Sequence, residues 1–435
     1  MRYEQAIAAL DRRTNYEATG ALVAPSLDRM RALMDLLAHP QASYPAIHIT
    51  GTNGKTTAAR VATALLRELG LGVGSYTSPH LDSPRERMAY DGRPIIEAEF
   101  AETYAYLDPY LRAVDEQGPP VTWFEAVTAM ANVWFAERAV EAAVVEVGMG
   151  GTWDATNLVD GRVAIVTEVA LDHPELGATS VEIAVEKAGI VKHGAVCVTG
   201  ARDPEVLEVI RRRCSEVGAT LRRIDAEFAI ERIAVAIGGT ALTIRVGERV
   251  YRDLFLPLYG AHLAHDAAVA LAAVVAFLGE RDVHDEVVAG AFAAVTDPGR
   301  VEVLRRRPLV VADGAHNPDA ARALAATMAE SFQFERLTLI VGMLAGKDVD
   351  GTLAPLIAIA TDVVATQPPS PRAVPAAQIA GAVEGLGKRA SIVEDPAAAL
   401  EAALKNATER DAVLVSGSLY TVAAVRPHVT EDKPR

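Results

Sequence analysis

The stretch HITGTNGKTTAARVATALL, residues His48 to Leu66, decides how the rest of the chain is read. A short alternating run enters Gly51-Thr52-Asn53-Gly54-Lys55-Thr56-Thr57, and apolar residues then recur at Ala58, Val61, Ala62, Leu65, Leu66 and Leu69. Alternation is the period of a strand and steps of three and four are the period of an amphipathic helix, so the segment reads as strand, glycine turn and helix. The two glycines allow a sharp backbone path. The N–H groups of the turn and helix N-terminus favour anionic oxygens, and Lys55 adds a cation. Thr56 or Thr57 can offer a hydroxyl to Mg²⁺. Phosphate-binding loops usually carry four residues between the glycines and this one has two; phosphate binding is still the expectation over a turn that merely connects.

Outward from this loop, strands and helices alternate. Residues 46–50, 72–76, 142–147, 163–167 and 195–199 read as strands with helical patterns between them, which predicts a mainly parallel sheet covered on both faces. About forty residues of helical pattern, broken by Pro25, Pro40 and Pro45, precede the loop. Residues 221–258 change to short β-branched runs around Gly238-Gly239, predicting a β-rich, hairpin-containing extension, and two helices follow through Val295. After the turn Asp297-Pro298-Gly299-Arg300 a second βα alternation begins, with strands at 309–313, 337–341, 363–366, 390–393 and 412–415. The expected organisation is an α/β phosphate-binding domain over 1–296, with a phosphate loop and a mainly parallel sheet, and a smaller Rossmann-like α/β domain over 297–435.

Composition narrows the partners. Of the 435 residues 50% are hydrophobic and 23% charged, a balance that supports packed cores. The formal net charge of −15 argues against nucleic acid, whose phosphates need a basic face. The charge-free run Ala267 to Gly279 is shorter than the roughly 20 residues that span a bilayer, and the N-terminus has no uncharged h-region. No membrane association and a cytoplasmic location are therefore expected. The two cysteines, Cys197 and Cys214, are too few for a disulfide framework or a zinc set.

Several side chains stand at strand ends, where ligands bind in open α/β sheets. Glu146 closes the apolar run Ala142 to Val147 and is followed by glycines; a carboxylate buried there needs a partner or a metal. His173 follows another strand in Leu171-Asp172-His173-Pro174, although a lone histidine is usually not a ligand and Mg²⁺ prefers oxygen. Lys187 lies in a helix opened by a candidate Thr179-x-x-Glu182 capping box, with Ile183, Ala184, Ile190 and Val191 as its helical neighbours. Such a lysine either snorkels to solvent, the expectation from these residues alone, or is held with a lowered pKa. Further on, Arg300 sits in the turn, Asp313-Gly-Ala-His316-Asn317-Pro318 joins a strand to a helix, and Ser416 to Tyr420 follows the last strand. Each is also readable as loop chemistry: Asn317 before Pro318 is an ordinary way to begin a helix.

In order along Leu27 to Val425, the segments Gly51 to Lys55, Thr77 to Leu81, Phe124 to Thr128, Glu146 to Gly151, Asp154 to Asn157, Leu171 to His173, Glu186 to Ile190, Pro298 to Arg300, Asp313 to Pro318 and Gly417 to Tyr420 resemble the folylpolyglutamate synthase and dihydrofolate synthase family of the Mur-ligase superfamily. The resemblance implies an ATP-dependent amide ligase: a carboxylate is phosphorylated, an amine attacks the acyl phosphate, and ADP and phosphate leave. It implies L-glutamate as the amine and dihydropteroate or a reduced folate as the acid; small-molecule substrates, no nucleic acid, no membrane and a monomer are the expectation for partners. It places the nucleotide on Gly51, Thr52, Asn53, Gly54, Lys55, Thr56 and Thr57, with Arg300, Asp313 and His316 reaching it from the second domain. Thr56, Ser78, Glu146 and His173 become Mg²⁺ ligands, for up to two ions. Lys187 becomes a carbamylated lysine, and a monovalent cation is a further candidate cofactor. Lys55, His173, Lys187 and Arg300 are the candidate catalytic set. Residues Thr14 to Glu17 and Pro79 to Met88 would line the acid pocket.

The chain departs from the family pattern at Thr56, Thr152, Leu263, Asp266 and Gly346, positions on the substrate and base side. The alternatives kept open are a paralogous ligase for another carboxylate and a non-catalytic nucleotide-binding homologue. A GTPase switch is disfavoured, since no Asn-Lys-x-Asp motif occurs.

Overall fold

The computed structural model describes residues 1–20, 25–172, 174–281 and 283–429. They divide into two compact units. One comprises Met1–Ile233, Ala241–Leu256 and His265–Val295, and the other Ala234–Thr240, Pro257–Ala264 and the chain from Thr296 onward.

The first unit is built on β1 (Pro45–Thr50), β2 (Val73–Tyr76), β3 (Met88–Tyr90), β4 (Arg93–Pro94), β5 (Ala142–Glu146), β6 (Asp160–Val166), β7 (Val196–Thr199) and β8 (Thr220–Arg223). These form one sheet in the order β4-β3-β2-β5-β1-β6-β7-β8, parallel from β2 to β8 and antiparallel where β3 and β4 close one edge. All five residues of β5 and five of the six in β1 are buried, which is why they read as continuous apolar runs.

One apolar core gathers the helices Tyr3–Leu10, Asp28–Leu36, Glu97–Asp115 and Trp123–Glu137. The last of these begins with a capping box in which Thr122 and Glu125 satisfy each other's N–H groups, and Glu125 also holds Arg29 at 2.9 Å. A second core lies around Ser180–Ala188 and Pro204–Glu216 and includes both cysteines, buried and free. The predicted β-rich extension is a three-stranded sheet of β9 (Phe228–Ala236), β10 (Gly239–Val246) and β11 (Arg249–Leu256) in the order β11-β10-β9. The two predicted helices follow it at Ala261–Phe277 and Asp285–Ala293.

The second unit contains β12 (Glu302–Arg306), β13 (Leu309–Ala312), β14 (Leu337–Val341), β15 (Asp362–Ala365), β16 (Ala390–Ile392) and β17 (Ala412–Ser416), in the order β12-β13-β17-β14-β15-β16. Only β12 runs antiparallel. The sequence pattern misses β4, β8 and β12 because they are short edge or near-edge strands whose residues are exposed or only partly buried, and β3 because its three residues are too few to show a period. Among the described residues no helix is long and apolar enough to cross a membrane.

Candidate active site

Parallel pairing in register aligns the strand ends of the first unit: Ile49 of β1 lies opposite Glu146 of β5, and Thr50 opposite Val166 of β6. The glycine turn after β1, Ser78 after β2, Glu146 itself and the segment after β6 therefore leave the sheet on one edge, the carboxyl edge where α/β proteins bind ligands.

The turn is shaped by two close approaches. Gly54 has φ 84° and starts the helix Lys55–Glu68, and a Cβ there would sit 2.2 Å from Asp266 Oδ1. At Gly51, φ is 151° and a Cβ would sit 1.7 Å from Thr167 Oγ1. A Gly54→Ala variant should therefore lose activity and unfold at a lower temperature. Backbone strain alone costs about 1–3 kcal/mol, or roughly 2–4 °C per kcal/mol for a unit of this size, a shift that scanning calorimetry resolves. The loop is also laced to the segment after β6. Thr52 N–H donates to Glu168 O at 2.7 Å, Thr52 Oγ1 donates to Ala170 O and accepts from Ala170 N–H, both at 2.9 Å, and Thr167 Oγ1 donates to Asn53 O at 2.6 Å.

Lys55 Nζ donates to Gly51 O at 3.0 Å and Thr52 O at 3.1 Å, which folds it back over the turn. Thr56 Oγ1 lies 3.0 and 3.2 Å from the two carboxylate oxygens of Glu146, and Ser78 N–H donates to the same carboxylate at 3.1 Å. Glu146 and Ser78 are buried. The structure thus brings together three of the four predicted metal ligands, Thr56, Ser78 and Glu146. His173 lies outside the described residues. Thr57 is also buried in the first turn of the helix, and it is Thr56 that bonds Glu146.

Lys187 corrects the expectation of snorkelling. Its side chain is buried and Nζ donates to Gly51 O at 2.7 Å, because the inner face of Ser180–Ala188 lies beneath the phosphate loop. Burial first, and the positive charge of Lys55 second, lower its pKa to about 7, against the opposing pull of Asp172, Asp154 and Glu186. The capping box is also only half made: Thr179 accepts from Glu182 N–H, while the Glu182 carboxylate takes Ala178 N–H instead of that of Thr179. Lys55, Lys187 and Asp172 line one pocket with Gly51, Thr52 and the turn Val147 to Gly150. Asp172 was not singled out from sequence, where its position beside His173 was the available signal.

Away from the loop, the Arg87 guanidinium is fully buried. It donates to Glu17 at 2.9 and 2.5 Å and to His80 Nδ1 at 2.9 Å, and stacks 4.7 Å from the Trp123 ring centroid. Burial, reinforced by Arg87, lowers the His80 pKa to about 4, so the ring is neutral and protonated on Nε2. The segments Thr14 to Glu17 and Pro79 to Met88 are joined by this cluster.

In the second unit the predicted residues surround the loop after β13. Asp313 is spent largely on building it: its two carboxylate oxygens accept Ala315 N–H at 2.7 Å and Val301 N–H at 2.8 Å, the latter fixing the turn that carries Arg300. Arg300 Nη1 donates to Gly299 O at 3.2 Å. His316 Nδ1 donates to Gly314 O at 2.8 Å, which sets the ring tautomer. Asn317 caps the helix Pro318–Ser331 and Ser418 caps Leu419–Val425, so both serve as helix starts.

Comparison with known proteins agrees with this geometry. Residues 299–419 match the Mur ligase, glutamate ligase domain family. The dihydrofolate synthase/folylpolyglutamate synthase of Mycobacterium tuberculosis is 42% identical, over 92% of this chain and 89% of that protein; the Bacillus subtilis protein of the same name is 33% identical, over 93% and 95%. Among solved structures, M. tuberculosis folylpolyglutamate synthase complexed with ADP superposes with TM-score 0.93 at 42% identity, over 99% of both chains. Escherichia coli FolC in complex with DHPP and ADP does so with TM-score 0.86 at 30% identity, over 97% of this chain and 96% of that one. The chain belongs to the dihydrofolate synthase/folylpolyglutamate synthase family of ATP-dependent ligases.

Proposed function

We propose that this protein joins L-glutamate in amide linkage to dihydropteroate, to a reduced folate, or to both, with ATP supplying the energy. The observation that carries the reading is the phosphate loop with Lys55 folded over it and the Glu146 carboxylate bonded to Thr56 on the adjoining strand end. Loop N–H groups and Lys55 would bind the β and γ phosphates. The donor set of Thr56, Ser78 and Glu146 is all oxygen and carries one carboxylate, which fits Mg²⁺; His173 would join it. Bound there, Mg²⁺ supplies neutralisation of phosphate charge.

The chain's own residues do the remaining work. Lys55 stabilises charge that grows on the transferred phosphoryl oxygens. Lys187, whose amine is about half neutral near pH 7, has the state that carbamylation by CO₂ requires. Arg300, Asp313 and His316 would meet the nucleotide from the second domain, taken as 297–435, with 1–296 as the ATP-binding domain. The cluster of Glu17, His80 and the buried Arg87 and Trp123 would shape the wall of the acid pocket.

The test is phosphate release from Mg²⁺-ATP and glutamate with dihydropteroate, with tetrahydrofolate, and with no acid. Release confined to the two acids, with a product heavier by glutamyl units, supports the reading and says which step is performed. ATP binding without stimulation by either acid would turn the assignment to another carboxylate.

A further inference from the structure

The helix Ala261–Phe277 sends an acidic side chain against the phosphate loop. Asp266 is 5% exposed, and both of its carboxylate oxygens abut Gly54: a Cβ on that glycine would lie 2.2 Å from Oδ1 and 2.4 Å from Oδ2. Both residues belong to the first unit. Among the described residues the one charged contact of this carboxylate is His265 Nδ1 at 3.7 Å, too long for a hydrogen bond. A carboxylate with little access to solvent is thus fixed at the start of the helix Lys55–Glu68, beside three features that favour anions: the helix N-terminus, Lys55 and Lys187.

We propose that Asp266 is a specificity-determining residue of the nucleotide site, one that makes the loop discriminate against metal-free nucleotide in favour of the Mg²⁺ complex. The inference rests on the nucleotide-binding reading above. Its physical basis is that the carboxylate offsets part of the positive potential that Lys55 and the helix terminus present, and that like charges repel strongly where solvent is scarce. A diphosphate that arrives without a cation meets that repulsion in full. One whose charge is partly neutralised by Mg²⁺ meets much less of it. The oxygen donors Thr56, in the first turn of the helix Lys55–Glu68, and Glu146, at the end of β5, are bonded to each other and stand ready to receive that ion.

Calorimetric titration with ADP, in Mg²⁺ and in EDTA, tests this on the full chain and on Asp266→Asn, which keeps the shape and removes the charge. The wild-type protein should bind Mg²⁺-ADP at least tenfold more tightly than metal-free ADP. Asp266→Asn should narrow the ratio to threefold or less, chiefly by gaining affinity for the metal-free form. An unchanged ratio in the variant, or an equal gain for both forms, overturns the proposal. Should Asp266→Asn fail to melt cooperatively, the wild-type ratio decides alone, and equal affinity with and without Mg²⁺ overturns the inference. If the wild-type protein binds neither form, the nucleotide reading itself fails and this inference falls with it; binding of Mg²⁺-ADP with no effect of Asp266 leaves that reading standing.

Discussion

Lys55→Ala should lower kcat/KM for ATP by about a thousandfold or more while leaving the fold intact. A single preorganised charge acting on transition-state oxygens is worth roughly 3–4 kcal/mol, two to three orders of magnitude in rate, and Lys55 also contributes to ground-state binding of the phosphates. Stability should barely change, because the ammonium bonds Gly51 and Thr52 carbonyls of its own turn, and Gly51 O keeps its bond from Lys187. Phosphate-release kinetics paired with a thermal melt separates the two effects. A variant that retains more than a tenth of the wild-type kcat/KM would remove Lys55 from the catalytic set.

Lys187→Ala is expected to have the second largest effect, a loss of at least a hundredfold in kcat, and its cause can be distinguished from simple loss of packing. If the working group is a carbamate, an added short carboxylate such as acetate should restore part of the activity of the alanine variant, whereas an ammonium role would not be rescued. The wild-type enzyme should also depend on CO₂ and on pH in a defined direction. Its pKa is lowered to about 7, so the neutral amine that attacks CO₂ dominates above that value and its fraction falls about tenfold per unit below it. Preincubation at pH 6 without bicarbonate should therefore depress activity, and bicarbonate at pH 8 should restore it. Activity indifferent to CO₂ together with failure of acetate rescue would assign Lys187 the other role, as a cation bonded to Gly51 O.

The central strands were legible in the sequence because a parallel strand buried on both faces is an uninterrupted apolar run, as in Ala142 to Val145, and because the residues that end such runs fall at the ligand edge. Glu146 is legible in this way, Thr56 through the phosphate-loop pattern, and Ser78 only through the family resemblance. Strands such as β8 and β12 escaped since neither face is wholly buried and their residues include arginines. Lys187 shows a different limit. The apolar neighbours on its own helix leave two outcomes open, and what decides between them is the phosphate loop packed over that helix, which local periodicity does not encode. Asp313 is similar: from sequence it is an acid at a strand end, and only the fold reveals that its oxygens are engaged by the backbone of its own loop.

The lacing of residues 51–53 to 167–170 bears on positional tolerance. Two loops that each hung free would fluctuate independently, and the distance between groups carried on them would vary as the sum of both motions. Bonds from Thr52 to Glu168 and Ala170, and from Thr167 to Asn53, make the two segments shift as one body. The spacing from the amides of the glycine turn to Ala170 is therefore held to the accuracy of a hydrogen-bonded ladder, and errors in one loop are copied into the other instead of adding to it.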